Sequence, residues 1–305
     1  MVITDAPATD PRRRLLIGLS LLGVYVIWGS TYLAIKYGLE GFPPFLLNGI
    51  RLLIAGALLY PLALRSGRAH PTPREWAGAG FIGGVLFVGG LGLVTIAEHN
   101  GIGSGVAASV IAVMPLWAAL WSGLLGRWPT RLEWIGLAVG FVGVVLLSRE
   151  GDFQASTVGL VAIMVSPVLW AFGSVVARRV PMPAGLMAAA AQMLAGGALL
   201  SLIGLVSGEW ITEAPSTTAW FAMGYLIIFG SLFGYTAYFY LLVTVRPAVA
   251  TSYAYVNPVV AVLLGVTLGR ETIGAWGVAG LPVILAGVAL VGAAQRASRR
   301  APAAA

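Results

Sequence analysis

Apolar runs of about 20 residues recur from one end of this chain to the other, and they leave few ways to fold it. An α-helix rises 1.5 Å per residue, so each run is long enough to cross the roughly 30 Å hydrocarbon layer of a bilayer. Clusters of glycine, proline and charge separate ten such runs, centred near residues 25, 54, 86, 113, 140, 168, 195, 230, 258 and 284. Only 10% of the residues are charged and 59% are hydrophobic, whereas a soluble domain carries about 25% charged residues. So many apolar runs cannot all be packed into a water-soluble core. The expectation is an all-α membrane protein with ten transmembrane helices.

The net charge of +7 would suggest nucleic acid if it were clustered on a polar domain, but no soluble segment is long enough to be one. Membrane orientation accounts for it better. With the N-terminus in the cytoplasm, fourteen arginines flank the spans on the cytoplasmic side and three Lys/Arg on the other, with Arg51 left inside a span. That split obeys the positive-inside rule for ten helices with both termini cytoplasmic. The segment PRRRLLIGLSLLG (11–23) looks like a signal peptide but lacks a small-residue cleavage site, so it reads as the first helix, retained. The chain has no cysteine, which excludes disulfides and thiolate metal sites.

The ten runs form two sets of five. VIWGSTYLAIK (26–36) matches VLWAFGSVVAR (168–178) with Trp28 on Trp170, and RLLIAGALL (51–59) matches QMLAGGALL (192–200). GVAASVIAVMP (105–115) matches AVATSYAYVNP (248–258), and GLAVGFVGVVL (136–146) matches GLPVILAGVAL (280–290), all at offsets between 141 and 144. Five is odd, so a second half that repeats the first must cross the membrane in the opposite sense. The pattern predicts two inverted five-helix repeats, 15–148 and 157–293, between cytoplasmic tails 1–14 and 294–305. Inverted repeats are a common way to build a secondary transporter, with the site at the bilayer midplane between them.

Both halves interrupt their fourth helix. ASVIAVMPLWAALWS (108–122) and TSYAYVNPVVAVLLG (251–265) carry Pro115 and Pro258 at matching positions. Proline inside a spanning helix frees the carbonyl four residues back, which a membrane tolerates only where protein or a water-filled cavity satisfies it. A packing kink would explain either proline alone; matched interruptions point toward a transporter's binding site.

At these residues the sequence resembles the EamA-type transporters of the drug/metabolite transporter superfamily. IWGSTY (27–32), AEH (97–99), LEWIG (132–136), WAFGS (170–174) and TSYAYVNPVVAVLLG carry the resemblance, which runs from about residue 15 to 293. It implies ten helices in two repeats and export of amino acids, other metabolites or toxic compounds without ATP hydrolysis. Independently, a Walker A loop needs Gly-Lys-Ser/Thr, and the only lysine, Lys36, follows Ile35.

Candidate cavity residues follow from position. Trp28 and Tyr32 on the first span match Trp170 and Ser174 on the sixth, well inside the bilayer, where an indole N–H needs a partner. Ser231, Tyr235 and Tyr238 share one helical stripe, and Tyr253 and Asn257 share a face beside Pro258. Met114 is the first-half match of Asn257, and Trp117 follows one turn on. For each of these, packing or hydroxyl bonding between helices competes with cavity lining. Arg51, costing about 2.5–3.5 kcal/mol to insert, must face the bundle or reach the interface, and is a candidate for gating or anion binding. Glu98 and His99, at the outer end of the third span, are candidate proton carriers, although an exposed loop cap is the default for that position.

The expected partners are a small amphipathic solute, the lipid bilayer and, as a candidate coupling ion, the proton. No cofactor, metal or nucleic acid is expected. Small-xxx-small pairs such as Gly136/Gly140, Gly230/Gly234 and Gly265/Gly269 serve helix packing or a weak homodimer; the expectation is a monomer or such a dimer. The reading is an inner-membrane secondary transporter exporting small amphipathic metabolites or xenobiotics by alternating access, not an enzyme. A membrane-embedded enzyme or a non-transporting sensor or channel stand as alternatives; an enzyme would need paired catalytic groups, and only Glu98 with His99 comes near.

Overall fold

The computed structural model describes residues 11–126, 128–148, 156–267 and 275–300, and all secondary structure among them is helical. Arg127, Arg149, Arg270 and Gly269 lie outside the described residues, as do positions 1–10 and 301–305 of the two tails.

Seven helical stretches are long and apolar enough to cross a membrane. They are α1 (Pro11–Gly38), α2 (Pro44–Arg65), the run Pro73–His99, the run Ser104–Leu124, α8 (Thr157–Val176), α9 (Leu186–Val206) and the run Thr217–Thr244. Shorter apolar stretches cover Tyr253–Leu264 and Val278–Val291, within α13 (Tyr253–Thr267) and α14 (Ala275–Arg300). The remaining elements are α7 (Arg131–Ser148) and α12 (Pro247–Ala250). Local chemistry sets several starts. Proline opens α1, α2 and α3 (Pro73–Gly83), where its missing N–H costs nothing. Thr72 with Glu75 forms a capping box, and the Ser156 and Ser216 hydroxyls accept from Gly159 and Ala219.

Two runs are composite. Pro73–His99 consists of α3, a nine-residue π-helical segment π1 (Gly84–Gly92), and α4 (Leu93–His99). Thr217–Thr244 consists of α10 (Thr217–Tyr225), a ten-residue segment π2 (Leu226–Tyr235), and α11 (Thr236–Thr244). The two π segments occupy matching positions of the repeat. They exceed the single-turn bulges in which this geometry usually appears, often at functional sites. In the run Ser104–Leu124, α5 (Ser104–Ile111) and α6 (Met114–Leu124) meet at a break over Ala112–Val113, next to Pro115. In the second half the break falls earlier, at Thr251–Ser252 between α12 and α13, and Pro258 lies inside α13.

Packing crosses between the halves. Helix α2 lies along α9, and α7 along α14; α1 packs on π2 and α13, while α8 packs on π1 and α6. Each contact becomes its counterpart when the sequence is shifted by the repeat offset. Without a hydrophobic driving force between helices in lipid, close approach through small residues supplies the contact. Gly287 and Gly143 bring the α14 and α7 backbones close: a Cβ on Gly287 would collide with the backbone of Gly140, and one on Gly143 with the backbone of Ile284, while Gly140 also leaves room for the Tyr255 ring of α13. Gly136 faces Val291 of α14, and Gly230 and Gly234 face Thr31 and Trp28 of α1, so these glycines are used within the chain. Outward faces carry exposed apolar side chains, among them Leu58, Phe81, Val142, Val161, Leu202 and Phe229.

Two polar ties join the halves at opposite ends. Glu209, after α9, accepts the backbone N–H groups of Phe45 at 3.0 Å and Leu46 at 2.9 Å, capping the start of α2. Buried Glu133, at the start of α7, pairs with Arg246 at 3.2 Å and accepts the Thr130 N–H at 2.7 Å.

Candidate functional site

Four aromatic rings, one each from α1, α8, α11 and α13, meet in one layer. The Trp28 and Trp170 centroids are 5.5 Å apart, edge to face. Tyr238 and Tyr253 each lie 4.8 Å from Trp28 and 5.4 Å from one another. Every polar atom on these rings has a partner. Trp28 Nε1 donates to the Gly230 carbonyl at 3.0 Å, and Trp170 Nε1 to the Tyr238 hydroxyl at 3.1 Å. Ser174 Oγ lies 2.5 Å from that hydroxyl, and the Tyr253 hydroxyl donates to Met114 Sδ at 3.6 Å. Tyr235 lies beside the layer and donates to Gln192 Oε1 at 2.5 Å.

On the side away from the chain ends lies a cavity of about 70 Å³. Its lining includes Trp28, Thr31, Tyr32, Arg51, Phe87, Trp170, Ser231, Tyr235, Tyr253 and Asn257. On the side nearer the chain ends lies a vestibule of about 1300 Å³, lined by Leu16, Ser20, Arg68, Arg178, Arg179, Tyr240 and others. The aromatic layer stands between the two spaces.

The structure thus places Trp28, Tyr32, Trp170, Ser231, Tyr235, Tyr253 and Asn257 on one cavity wall system. Ser174, Tyr238 and Met114 are buried in the layer behind it and hold lining rings in place. The π2 turns alter the stripe expected for Ser231, Tyr235 and Tyr238, so the first two reach the cavity and the third the layer. Trp117 packs on the core from α6 and does not line the cavity. The Asn257 amide donates to the carbonyls of Tyr253 at 3.1 Å and Tyr25 at 3.3 Å, joining α13 to α1. Pro115 and Pro258 are both buried.

The ionisable candidates separate. Arg51 is buried, lines the cavity, and makes no hydrogen bond or ion pair among the described residues. Both Glu98 carboxylate oxygens are buried without a hydrogen-bond partner among the described residues, with Lys36 and Tyr32 within electrostatic reach. His99, the next residue, is exposed. No group of three His, Cys, Asp or Glu suited to a metal occurs among the described residues.

The sequence missed several participants. Phe87 and Ser166 carry no motif, and Thr31 and Gln192 lie in the matched stretches IWGSTY and QMLAGGALL without being singled out there. Ser166 of α8 donates to the Gly90 carbonyl of π1 at 2.9 Å, a bond to a π-segment carbonyl like that of Trp28 to Gly230. The glycines of GGVLFVGGLG (83–92) and the mid-span Gly230 were the visible signal for the π segments.

The EamA-like transporter family matches this chain twice, over residues 15–149 and 157–293. The chain belongs to that family. It is 44% identical to YedA of Escherichia coli (strain K12), named as an uncharacterized inner membrane transporter, over 272 residues that cover 89% of each chain. It is 27% identical to the uncharacterized transporter YvbV of Bacillus subtilis (strain 168), over 93% of each chain. An uncharacterized transporter of Archaeoglobus fulgidus is 28% identical over 82% of this chain and 86% of its own. A solved crystal structure superposes with TM-score 0.73 over 92% of this chain and 98% of the other; at 22% identity it shows a shared fold. The relatives are transporters by name, and transport rather than catalysis is the activity the family indicates.

Proposed function

We propose that this EamA-family chain is an inner-membrane secondary transporter that exports small amphipathic solutes by alternating access, built from ten helices in two inverted repeats, 15–148 and 157–293, with both termini cytoplasmic. The observation that carries this reading is the position of the aromatic-lined cavity between the halves, walled by the first helix of each and the π-helical third helix of each. The exchange of contacts under the repeat offset supports the inversion. The arginine-lined vestibule at the terminus-bearing end supports loading from the cytoplasm, hence export.

The cavity is smaller than the roughly 300–1,000 Å³ of drug-sized sites, so a solute reaches it only if the layer of Trp28, Trp170, Tyr238 and Tyr253 parts. The π segments are suited to that motion, because shifting a helix between i→i+5 and i→i+4 bonding moves side chains without breaking the helix. Glu98, a buried carboxyl without a hydrogen-bond partner among the described residues, is the candidate carrier if transport is proton-coupled. The test is efflux of labelled solutes from liposomes containing the purified protein. Solute movement that saturates and requires the protein supports the reading; turnover of the solute instead favours a membrane enzyme, and ion conductance without solute selectivity favours a channel.

A further inference from the structure

Among the described residues that line the cavity, Arg51 carries the charge. Arg51 on α2 is 5% exposed, and its Nε and Nη1 atoms are buried without partners. No Asp or Glu is among the described residues that line the cavity. The ion pair of Arg246 with Glu133 lies elsewhere. A guanidinium cannot shed its proton to escape burial, and its planar array of five donors matches the two oxygens of a carboxylate. A second donor lines the same cavity. Ser231 Oγ, on π2 which packs against α2, is also buried without a partner and lines the cavity. The vestibule repeats the sign: the charged residues among its described lining are Arg68, Arg178 and Arg179. A path walled by one sign of charge concentrates the opposite sign.

We infer that Arg51, assisted by Ser231, is the anchoring site for a carboxylate on the transported solute, whose apolar or aromatic body lies against Trp28, Trp170 and Tyr253. The class is an organic monoanion. A cationic amphiphile has no counter-charge among the described lining residues, and the ammonium of a zwitterion would meet ring faces and neutral hydroxyl and amide groups there. This rests on the transport reading for the word solute, but the site itself is tested by equilibrium binding, which stands or falls separately.

The full chain, purified in detergent, is titrated by tryptophan fluorescence and thermal melting with four probes sharing one phenyl body: 3-phenylpropanoate, phenylalanine, 3-phenylpropanamide and 3-phenylpropylamine. The expected order places 3-phenylpropanoate first, with the amide and the amine weaker by about tenfold or more, as for loss of one charge-assisted bond. Arg51→Gln should weaken both carboxylates by about 10- to 100-fold and leave the amide unchanged, while the unliganded variant melts higher because an unbalanced buried charge has gone. Ser231→Ala should weaken 3-phenylpropanoate by several-fold. Amide or amine binding as tight as the carboxylate in the unsubstituted protein, or an Arg51→Gln protein that keeps the carboxylate preference, overturns the assignment. So does an absence of saturable binding by either carboxylate. If Arg51→Gln does not fold, the probe order and Ser231→Ala decide. Carboxylate binding without transport in liposomes would leave the site standing and remove the transport reading.

Discussion

The indole of Trp28, in the first repeat, lies directly on Gly234 in the second: a Cβ added to Gly234 would come within 2.5 Å of Trp28 Nε1. Trp170, its counterpart, lies in the same way on Gly90 of the first repeat. Each tryptophan therefore rests on the π-helical third span of the opposite half, where a larger residue would leave no room for the ring. Gly234→Ala should push the indole off the Gly230 carbonyl and cost about 1–3 kcal/mol through overpacking. Gly90→Ala should do the same to Trp170. Both should lower Tm in detergent, with tryptophan fluorescence reporting the displaced ring. Unchanged Tm and spectrum in both variants would show that the contacts yield freely.

Orientation follows from the repeat and is tested at equivalent positions. His70 follows the second helix of the first half, and Thr212 occupies the corresponding place in the second. Reporter fusions should locate His70 in the cytoplasm and Thr212 outside. The same location for both would refute the inversion, whatever the number of spans.

Much of this fold was open to sequence reasoning because apolar length, glycine spacing and arginine placement are one-dimensional signals. Trp28 and Trp170 were legible as a pair because the repeat aligned them. The π segments were less so, since a change from i→i+4 to i→i+5 bonding leaves composition unaltered and is set by what the helix packs against. For the same reason Tyr238 turned out to brace the layer while Ser231 and Tyr235 reach the cavity. Gln192 was hidden because one polar residue in an apolar helix carries no direction. Arg51 was visible at once; that it would be unpaired and cavity-facing required coordinates.

The tie between Glu133 and Arg246 joins the halves at the arginine-rich end. Arg246→Gln should cost about 1 kcal/mol, since that side chain is 38% exposed and solvent screens the pair. Glu133→Ala should cost more, because it also removes the acceptor of the Thr130 N–H. The double variant should lose less than the two single losses combined. Strict additivity in thermal melts would mean the ion pair contributes nothing to the tie.

Glu98 distinguishes proton-coupled transport from facilitated movement. If the carboxyl carries the coupling proton, Glu98→Gln mimics its neutral form permanently. Efflux driven by an imposed pH gradient should then stop, while solute exchange at equal pH on both sides continues. Loss of both activities would mark a structural role. Retention of gradient-driven efflux would remove Glu98 from coupling.

Asn257 tests whether the interrupted fourth span of the second half forms part of the site. Its side chain is 1% exposed, lines the cavity, and bonds the carbonyls of Tyr253 and Tyr25. Hydrogen bonds of this kind inside membrane proteins contribute only about 0.6 kcal/mol on average, so Asn257→Leu should insert and fold with little change in Tm. Transport should nevertheless be lost, because leucine replaces a cavity-lining amide and releases the α13 to α1 link beside Trp28. Tyr253→Phe, which gives up one hydroxyl and its contact with Met114 Sδ, should weaken transport more mildly. Met114→Leu conserves volume and should cost least. A well-folded Asn257→Leu protein with normal efflux would place the site elsewhere on the cavity wall and leave this interruption as packing alone.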